Sequence, residues 1–293
     1  MEKKLLNILQ EARTNKKAVG HFNMSDLVGF RAIVESAQRL SVPVMVGVSE
    51  GERDFVGVGI VAALVREIRH ATGMSIFLNA DHTHSLEQAI AAAHAGYDEI
   101  IFDASKLPLA ENIAHTKQAV IEIKSINPDI LVEGEIGYLG SSSEILTETP
   151  VGAAIDPSSF STADEASQFV RETQVDILAP AVGTMHGLLS SMVSGTTFKH
   201  IDTSRVRDIA DVTGVFLTLH GGSGTADADF VSAITAGITI IHVNTELRLA
   251  WRSGVADGLS RSQHEVAPYK LLTPALIAVG EIVERRLRLF NQL

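Results

Sequence analysis

Three histidines stand at or shortly after the ends of short apolar segments that are far apart in the chain, and together they could bind one metal ion. They are His82, His186 and His220. Three imidazole ligands with one open coordination position form a catalytic zinc site, whose ion polarises a carbonyl or activates a water. A single histidine in such a place is more often a cap or a core residue, so the three together carry the prediction. The chain has 0 cysteines, which excludes a thiolate zinc site and a catalytic thiol.

Carboxylates accompany these histidines. Asp81 directly precedes His82 and could exchange a proton with a substrate oxygen, or alternatively cap the helix that begins near Ser85. Glu133 and Glu135 alternate along another apolar segment, so both point to one face of it. Near a cation they would be further metal ligands or partners of the ligands, and otherwise they are solvated charges at an edge.

Two other segments are suited to bind phosphate. Gly221-Gly222-Ser223-Gly224 follows one apolar segment and Asn244-Thr245 follows another, each just before a helical pattern. Glycines let backbone N–H groups approach an anion, and a helix N-terminus adds positive potential. Tight turns use the same residue types, so the position beside His220 is what favours the phosphate interpretation.

The segments that carry these residues alternate between strand and helix patterns. Eight near-continuous apolar segments predict parallel strands buried on both faces, at residues 17–21, 43–48, 75–79, 99–102, 130–133, 176–180, 215–220 and 238–243. The main helical patterns lie at 26–40, 55–71, 86–95, 109–125, 163–172, 204–212, 228–236 and 246–258. Eight such units predict an α/β fold, a (β/α)8 TIM barrel with an extra N-terminal helix and a C-terminal helical extension over 273–290. The alternative, an open doubly wound sheet, lacks its GxGxxG sequence after the first strand.

A barrel brings the carboxyl ends of its strands to one mouth, so the polar residues above are predicted to meet there. No linker divides the chain, and residues 1–293 are interpreted as one domain. The long irregular segments 137–161 and 187–203 are expected to be loops that cover or line the site.

Composition excludes several classes of protein. With 45% hydrophobic residues the chain can bury a core, and its net charge of −11 disfavours nucleic acid or an anionic membrane as a partner. No apolar run reaches the ~18 residues of a membrane-spanning helix, and the N-terminus has no signal-peptide pattern. We therefore expect the cytoplasm as the location.

Together these segments resemble the class II, metal-dependent fructose-bisphosphate/tagatose-bisphosphate aldolase family. The matching segments run in the family's order through nearly the whole chain, at 20–24, 48–51, 79–84, 102–105, 111–112, 133–137, 183–187, 220–224 and 243–246. The resemblance implies reversible cleavage of a ketose (bis)phosphate to dihydroxyacetone phosphate and an aldehyde, through a metal-stabilised enediolate. It also implies a homodimer or homotetramer.

The resemblance also implies roles for individual residues. One zinc ion per subunit would be bound by His82, His186 and His220, with Glu135 as an alternate ligand, and Asp81 would transfer the proton. A monovalent cation would help to order the phosphate loops. Substrate would be bound by Asn23, Ser49, Gly187, Gly221, Ser223, Asn244 and Thr245.

Some positions depart from the family's pattern. The mobile catalytic loop of the family corresponds to Gly140-Ser-Ser-Ser-Glu144, which makes Glu144 the candidate for its acidic residue. Arg53 follows Ser49-Glu-Gly51 and could meet a second phosphate or a carboxylate, and His242 replaces an asparagine at the substrate pocket. These changes predict a ketose phosphate other than fructose 1,6-bisphosphate.

Two other functions remain open at this point. A non-catalytic sugar-phosphate-binding protein could retain the same frame with an altered loop. A metal-dependent barrel hydrolase would use His82-Thr-His84 as its pair of ligands, although that pair normally follows the first strand of such barrels and here follows the third.

Overall fold

The computed structural model describes residues 4–140, 143–153, 156–261 and 264–293. Eight parallel strands form a closed barrel: β1 Val19–Asn23, β2 Val44–Val48, β3 Ile76–Thr83, β4 Glu99–Phe102, β5 Leu131–Ile136, β6 Ile177–Pro180, β7 Phe216–Leu219 and β8 Ile238–Val243. Each strand pairs with the next along the chain, and β8 closes against β1 with His242 opposite His21. The predicted (β/α)8 barrel is confirmed.

The strands form where β-branched and aliphatic residues run without interruption, because both faces of a barrel strand are covered. Every residue of β1, β2, β5 and β8 is buried. Three strands continue beyond their predicted ends: β1 runs on to Asn23, β3 to Thr83 and β5 to Ile136. As a result, Asp81, His82 and Glu135 belong to strands.

The helices of the described chain are α1 Leu5–Thr14, α2 Leu27–Leu40, α3 Glu50–Val56, α4 Val58–Thr72, α5 Leu86–Ala95, α6 Leu109–Ile126, α7 Ala163–Thr173, α8 Ser190–Val193, α9 Thr203–Thr213, α10 Asp227–Ala236, α11 Thr245–Arg261, α12 Pro268–Leu271 and α13 Thr273–Asn291. The helix expected over 55–71 is in fact two helices, since Gly57 has a φ of +97° and ends α3. A capping box of Ser49 and Glu52 begins α3 five residues earlier than the apolar pattern indicated.

The two ends of the barrel differ. Helix α1 packs its apolar face, including Leu5 and Leu9, against residues from the starts of the strands, such as Val19 and Met45. It therefore closes the N-terminal end of the barrel. This is the extra N-terminal helix that the sequence predicted. Helix α13 packs against α2 and α11 on the outside of the barrel. The opposite end, where the strands finish, is left to the loops.

Loops after β5 and β6 meet over this open end. Two short strands outside the barrel, Ile145–Leu146 and Leu188–Leu189, pair in parallel there, so both segments predicted to be irregular contain some order. Between them, the N–H of His186 donates to the carbonyl of Leu139 over 2.9 Å. Ser141 and Ser142 of the predicted catalytic loop lie outside the described residues. Among the described residues, none of the helices combines the length and the apolar composition of a membrane-spanning segment.

Candidate active site

A bulge in β3 brings two adjacent residues to the barrel mouth. Ala80 pairs with Ile100 and Thr83 pairs with Phe102, so Asp81 and His82 together face one residue of β4. A bulge places an extra residue in one strand and redirects its side chains. His82 has a φ of +37°, in the left-handed region that non-glycine residues rarely adopt. Both side chains consequently line the same cavity, which a regular strand would not allow.

The three predicted histidines converge at this mouth. The ring centroid of His82 lies 4.7 Å from that of His186 and 4.8 Å from that of His220, and the last two are 5.8 Å apart. Glu135 joins them, and ligand atoms of these four residues lie within 4.8 Å of one another. The chain thus gathers the predicted ligand set from β3, β5 and the loops after β6 and β7.

Carboxylates orient two of these rings. His82 uses Nδ1 to contact Asp103 Oδ2 at 2.9 Å, and His220 uses Nε2 to contact Glu133 Oε1 at 2.7 Å. The hydroxyl of Thr218 donates to the other oxygen of Glu133. Such a carboxylate fixes the ring and leaves its second nitrogen directed at a metal site.

The buried atoms of this cluster that make no well-aligned hydrogen bond indicate a cation site. Within the described part of the chain, one buried atom of each of the four residues makes no well-aligned hydrogen bond, namely His82 Nε2, Glu135 Oε2, His186 Nε2 and His220 Nδ1. Two of them, Glu135 Oε2 and His220 Nδ1, lie 3.0 Å from each other as an ion pair. Leaving buried polar atoms unpaired costs about 1–3 kcal/mol each, and more for charged groups. Three imidazole nitrogens and a carboxylate oxygen are the donors that zinc prefers. The residues therefore fit a divalent metal ion.

The surroundings shift the pKa values of the three histidine rings in different directions. Burial lowers the pKa of His82, but Asp81 and Asp103 outweigh it and raise that pKa to about 9. Burial likewise opposes charge on His220, yet its hydrogen bond with Glu133 raises the pKa well above the usual value. Burial and the two neighbouring imidazoles lower the pKa of His186 far below its usual value. The carboxylates thus create a site that favours positive charge.

Asp81 lies beside this cluster, and one of its carboxylate oxygens makes no hydrogen bond in the described chain. Asn23 donates to Oδ2 over 2.8 Å, while Oδ1 lies 3.5 Å from Nδ1 of His242 and has no hydrogen-bond partner in the described chain. Burial raises the pKa of Asp81, but the imidazoles of His82 and His242 outweigh it and hold the pKa well below its usual value. Asp81 is therefore ionised at neutral pH.

A cavity of about 210 Å³ joins most of the predicted site residues. Those that line it are Asn23, Ser49, Asp81, His82, His186, Gly221, Ser223, His242 and Asn244. Glu135 and His220 lie beneath it and are 1% and 0% exposed. Gly187 and Thr245 are adjacent to lining residues in the chain, but they do not line the cavity themselves.

Hydrogen bonds hold the predicted phosphate loops in place. The N–H of Gly224 donates to Glu246 Oε1 over 2.9 Å, and the N–H of Glu246 donates to the Ser223 hydroxyl over 3.2 Å. Arg286 is nearly buried and donates to the same carboxylate of Glu246 over 2.7 Å. The glycine-rich loop and the start of α11 are thereby tied together at one side of the cavity.

The prediction that Arg53 contacts substrate is wrong. Its side chain is 0% exposed, and its guanidinium donates to the carbonyls of Val48 and Asp81 and to the hydroxyl of Thr83. Arg53 instead supports the bulge that carries Asp81. Its position one turn into α3, facing the barrel, could not be known while that helix was expected to start at residue 55.

Arg248 lines the cavity and was missed by the sequence analysis. It lies on the first turn of α11, and it donates to Glu52 Oε1 over 2.8 Å and to the carbonyl of Ser143 over 3.3 Å. The signal available in the sequence was its spacing of four residues from Asn244, which places both on one face of the helix.

Glu144 does not reach the site in this structure. Its side chain is exposed, its carbonyl accepts from the N–H of Leu188 over 2.9 Å, and the cavity is lined by Ser143 instead. His84 lines the cavity, but it is exposed, contacts the carbonyl of Asp103 and does not belong to the four-residue cluster. The His82 and His84 pair of the hydrolase interpretation therefore does not form.

Lys199 is a second residue that the sequence analysis missed. It is 4% exposed, and its Nζ donates to the carbonyls of Met185, Gly187 and Gly221. Burial lowers the pKa of Lys199 to about 7, against the opposing charge of Glu246. Its place in an irregular segment gave no pattern from which these contacts could be predicted.

The profile of the family described as class-II fructose-bisphosphate aldolase matches residues 3–293. The chain belongs to this family. A probable fructose-bisphosphate aldolase of Bacillus subtilis (strain 168) is 32% identical over 293 residues, covering 98% of this chain and 96% of the relative. The fructose-bisphosphate aldolase of Geobacillus stearothermophilus is 32% identical over 289 residues, covering 97% and 95%.

Solved structures agree with the fold of this aldolase. The YdjI aldolase from Escherichia coli K12 superposes with a TM-score of 0.81 at 25% identity, covering 99% of this chain and 97% of that one. The resemblance seen in the sequence is thereby confirmed, and so is the class of enzyme, a lyase that cleaves carbon–carbon bonds.

Proposed function

We propose that this aldolase binds one zinc ion through His82, His186 and His220, and reversibly cleaves a ketose phosphate to dihydroxyacetone phosphate and an aldehyde. The observation that carries the proposal is the convergence of one buried ligand atom from each of these histidines and from Glu135 within 4.8 Å of one another. When bound, zinc supplies the Lewis-acid charge that stabilises the enediolate.

Asp81 is the residue we assign to proton transfer. In cleavage its carboxylate takes the proton from the hydroxyl on the carbon that becomes the aldehyde, and in condensation it returns that proton. The assignment is supported by the place of Asp81 in the cavity lining, by its Oδ1, which has no hydrogen-bond partner in the described chain, and by Asn23, which fixes Oδ2. Burial raises the pKa of Asp81, but the neighbouring imidazoles lower it further, so the group is ionised, which is the form that can take up the substrate's proton.

We assign the substrate's phosphate to the side of the cavity formed by the loops after β7 and β8. Gly221, Ser223 and Asn244 line it there, and Thr245 begins α11, so its helix N-terminus faces the same region. Gly187 supports this side through its carbonyl, which Lys199 holds. Asn23 and Ser49 line the remainder of the pocket, where the sugar carbons would lie.

Arg248 gives the pocket a positive charge near Ser49 and Glu52, at the side where the aldehyde half would lie. The variant Arg248→Met is expected to lower kcat/KM for a ketose bisphosphate by about 10–100-fold, as a lost charged hydrogen bond would, and to leave ketose 1-phosphates nearly unchanged. Steady-state kinetics with both substrate classes check this. The exposed Arg252 on the same helix is the control as Arg252→Met. Equal losses for both classes would remove Arg248 from the aldehyde side.

The proposed reaction is tested by incubating zinc-loaded and chelator-treated protein with a panel of ketose 1-phosphates and bisphosphates. Dihydroxyacetone phosphate is measured by its enzymatic reduction. We expect release from at least one ketose phosphate, lost on chelation and restored by zinc. Binding of the phosphate esters without cleavage would contradict the proposal and favour a sugar-phosphate-binding protein.

We further propose that residues 1–293 fold as one domain that assembles as a homodimer or homotetramer in the cytoplasm. The partner we propose is a small-molecule sugar phosphate, and the net charge of −11 disfavours nucleic acid or an anionic membrane in that role. Light scattering coupled to size exclusion measures the assembly, and a monomeric mass would contradict this part.

A further inference from the structure

The loops that carry two of the metal-site histidines are joined by a lysine. Nζ of Lys199 lies 2.6 Å from the carbonyl oxygen of Met185, 2.7 Å from that of Gly187 and 3.0 Å from that of Gly221. The first two residues flank His186 and the third follows His220. Lys199 therefore contacts the backbone on both sides of one histidine and beside the other.

The backbone of the two loops fixes the position of this contact. The backbone N–H of Lys199 donates to the carbonyl of Gly224 over 3.0 Å, which places its stem along the glycine-rich loop. Gly221 has a φ of +64°, and a Cβ there would lie 2.4 Å from the carbonyl oxygen of Met185. The two loops thus approach so closely that three carbonyl dipoles point at one spot.

The peptide units whose carbonyls contact Lys199 are also held at their N–H groups. The N–H groups of His186, Leu188 and Gly222 donate to the carbonyls of Leu139, Glu144 and His242, respectively. Each unit is therefore held on one side by the ammonium and on the other by a neighbouring loop. The position of His186 and the shape of the glycine-rich loop depend on what fills the carbonyl cluster.

Three converging carbonyl oxygens are a ligand set for a monovalent cation, since such oxygens replace its hydration shell. An ammonium group offers three donors, one for each carbonyl, whereas a neutral amine would leave one unpaired. Burial opposes this charge and lowers the pKa of Lys199 to about 7, whereas the carboxylate of Glu246 favours the charged form.

We propose that Lys199 is a tethered cation that occupies a monovalent-cation site between the loops after β6 and β7, so that this aldolase binds phosphate without free potassium or sodium. The functional part rests on the proposed phosphate site, whereas the effect on the loops does not. The free monovalent cation expected from the resemblance would then have its place taken by a side chain.

The test compares the zinc-loaded wild type with Lys199→Met in about 0.1 M potassium chloride and in tetramethylammonium chloride, whose cation is too large for the cluster. Calorimetry measures the affinity for dihydroxyacetone phosphate, and thermal unfolding is followed without ligand. For the wild type we expect affinities within about twofold in the two salts. For the variant we expect an affinity about tenfold or more weaker in tetramethylammonium, and substantial recovery in potassium. Lys117→Met, at an exposed lysine, is the control.

Two results would overturn the proposal. One is a wild type whose affinity falls tenfold without potassium, and the other is a variant that responds to potassium no more than the wild type. If the variant does not fold, the wild-type comparison still decides, and Lys199→Gln repeats the rescue. If neither protein binds dihydroxyacetone phosphate, the proposed function fails, but a rise in the Tm of the variant with potassium, absent in the wild type, would still support the tethered cation. No such rise would reject it.

Discussion

The variant His220→Ala is expected to lose zinc and activity together. His220 would be a direct ligand, and it is also the ring that Glu133 orients at 2.7 Å. Loss of the ion's charge stabilisation, worth several kcal/mol, corresponds to a fall in kcat/KM of about 10³-fold or more. Elemental analysis after dialysis should find zinc in the wild type and only a small fraction of it in the variant.

The control for this experiment is His115→Ala, since His115 is exposed on α6 and does not line the cavity. It should retain both zinc and activity. Thermal unfolding of the two variants separates loss of the ligand from loss of the fold. Full zinc occupancy in His220→Ala would contradict the assigned ligand set.

The variant Asp81→Asn is expected to keep zinc and to lose turnover. The amide retains the size of the carboxylate, so the bulge and His82 should remain in place, but it cannot accept the substrate's proton. General acid–base groups typically contribute 10²–10⁴-fold, so kcat should fall by roughly that factor. Zinc analysis and steady-state kinetics on the same preparation measure both quantities.

The exposed Asp208 on α9 provides the matched control as Asp208→Asn, which should leave both quantities unchanged. An Asp81→Asn variant with wild-type turnover would remove Asp81 from the reaction. If the variant also lost zinc, Asp81 would have to be reassigned as a residue that positions His82.

The barrel could be predicted from the sequence because its signal is local and repeated. Continuous apolar segments gave all eight strands of the described barrel to within a few residues of their ends. The misplaced start of α3 came from Ser49 and Glu52, whose capping box has no apolar pattern. The bulge at Asp81 and His82 was also not predictable, because it follows from the pairing of β3 with β4.

The metal-ligand residues could be predicted, because several strand ends carry residues of the same ligand type. Positions that depend on the direction of a single side chain could not be predicted as well. The three histidines and Glu135 converge because the barrel brings their elements together. Arg53 and Arg248 could not be distinguished, since which arginine reaches the cavity depends on helix starts and facing directions. The side-chain contacts of Lys199 reach residues up to 22 positions away in the chain, which no local pattern shows.

The most direct test is anomalous diffraction at the zinc edge from crystals of the zinc-loaded protein. We expect one strong peak among His82, His186 and His220, at about 2.0–2.1 Å from a nitrogen of each ring. A fully loaded crystal with no peak there, or with its zinc bound at another place, would contradict the account.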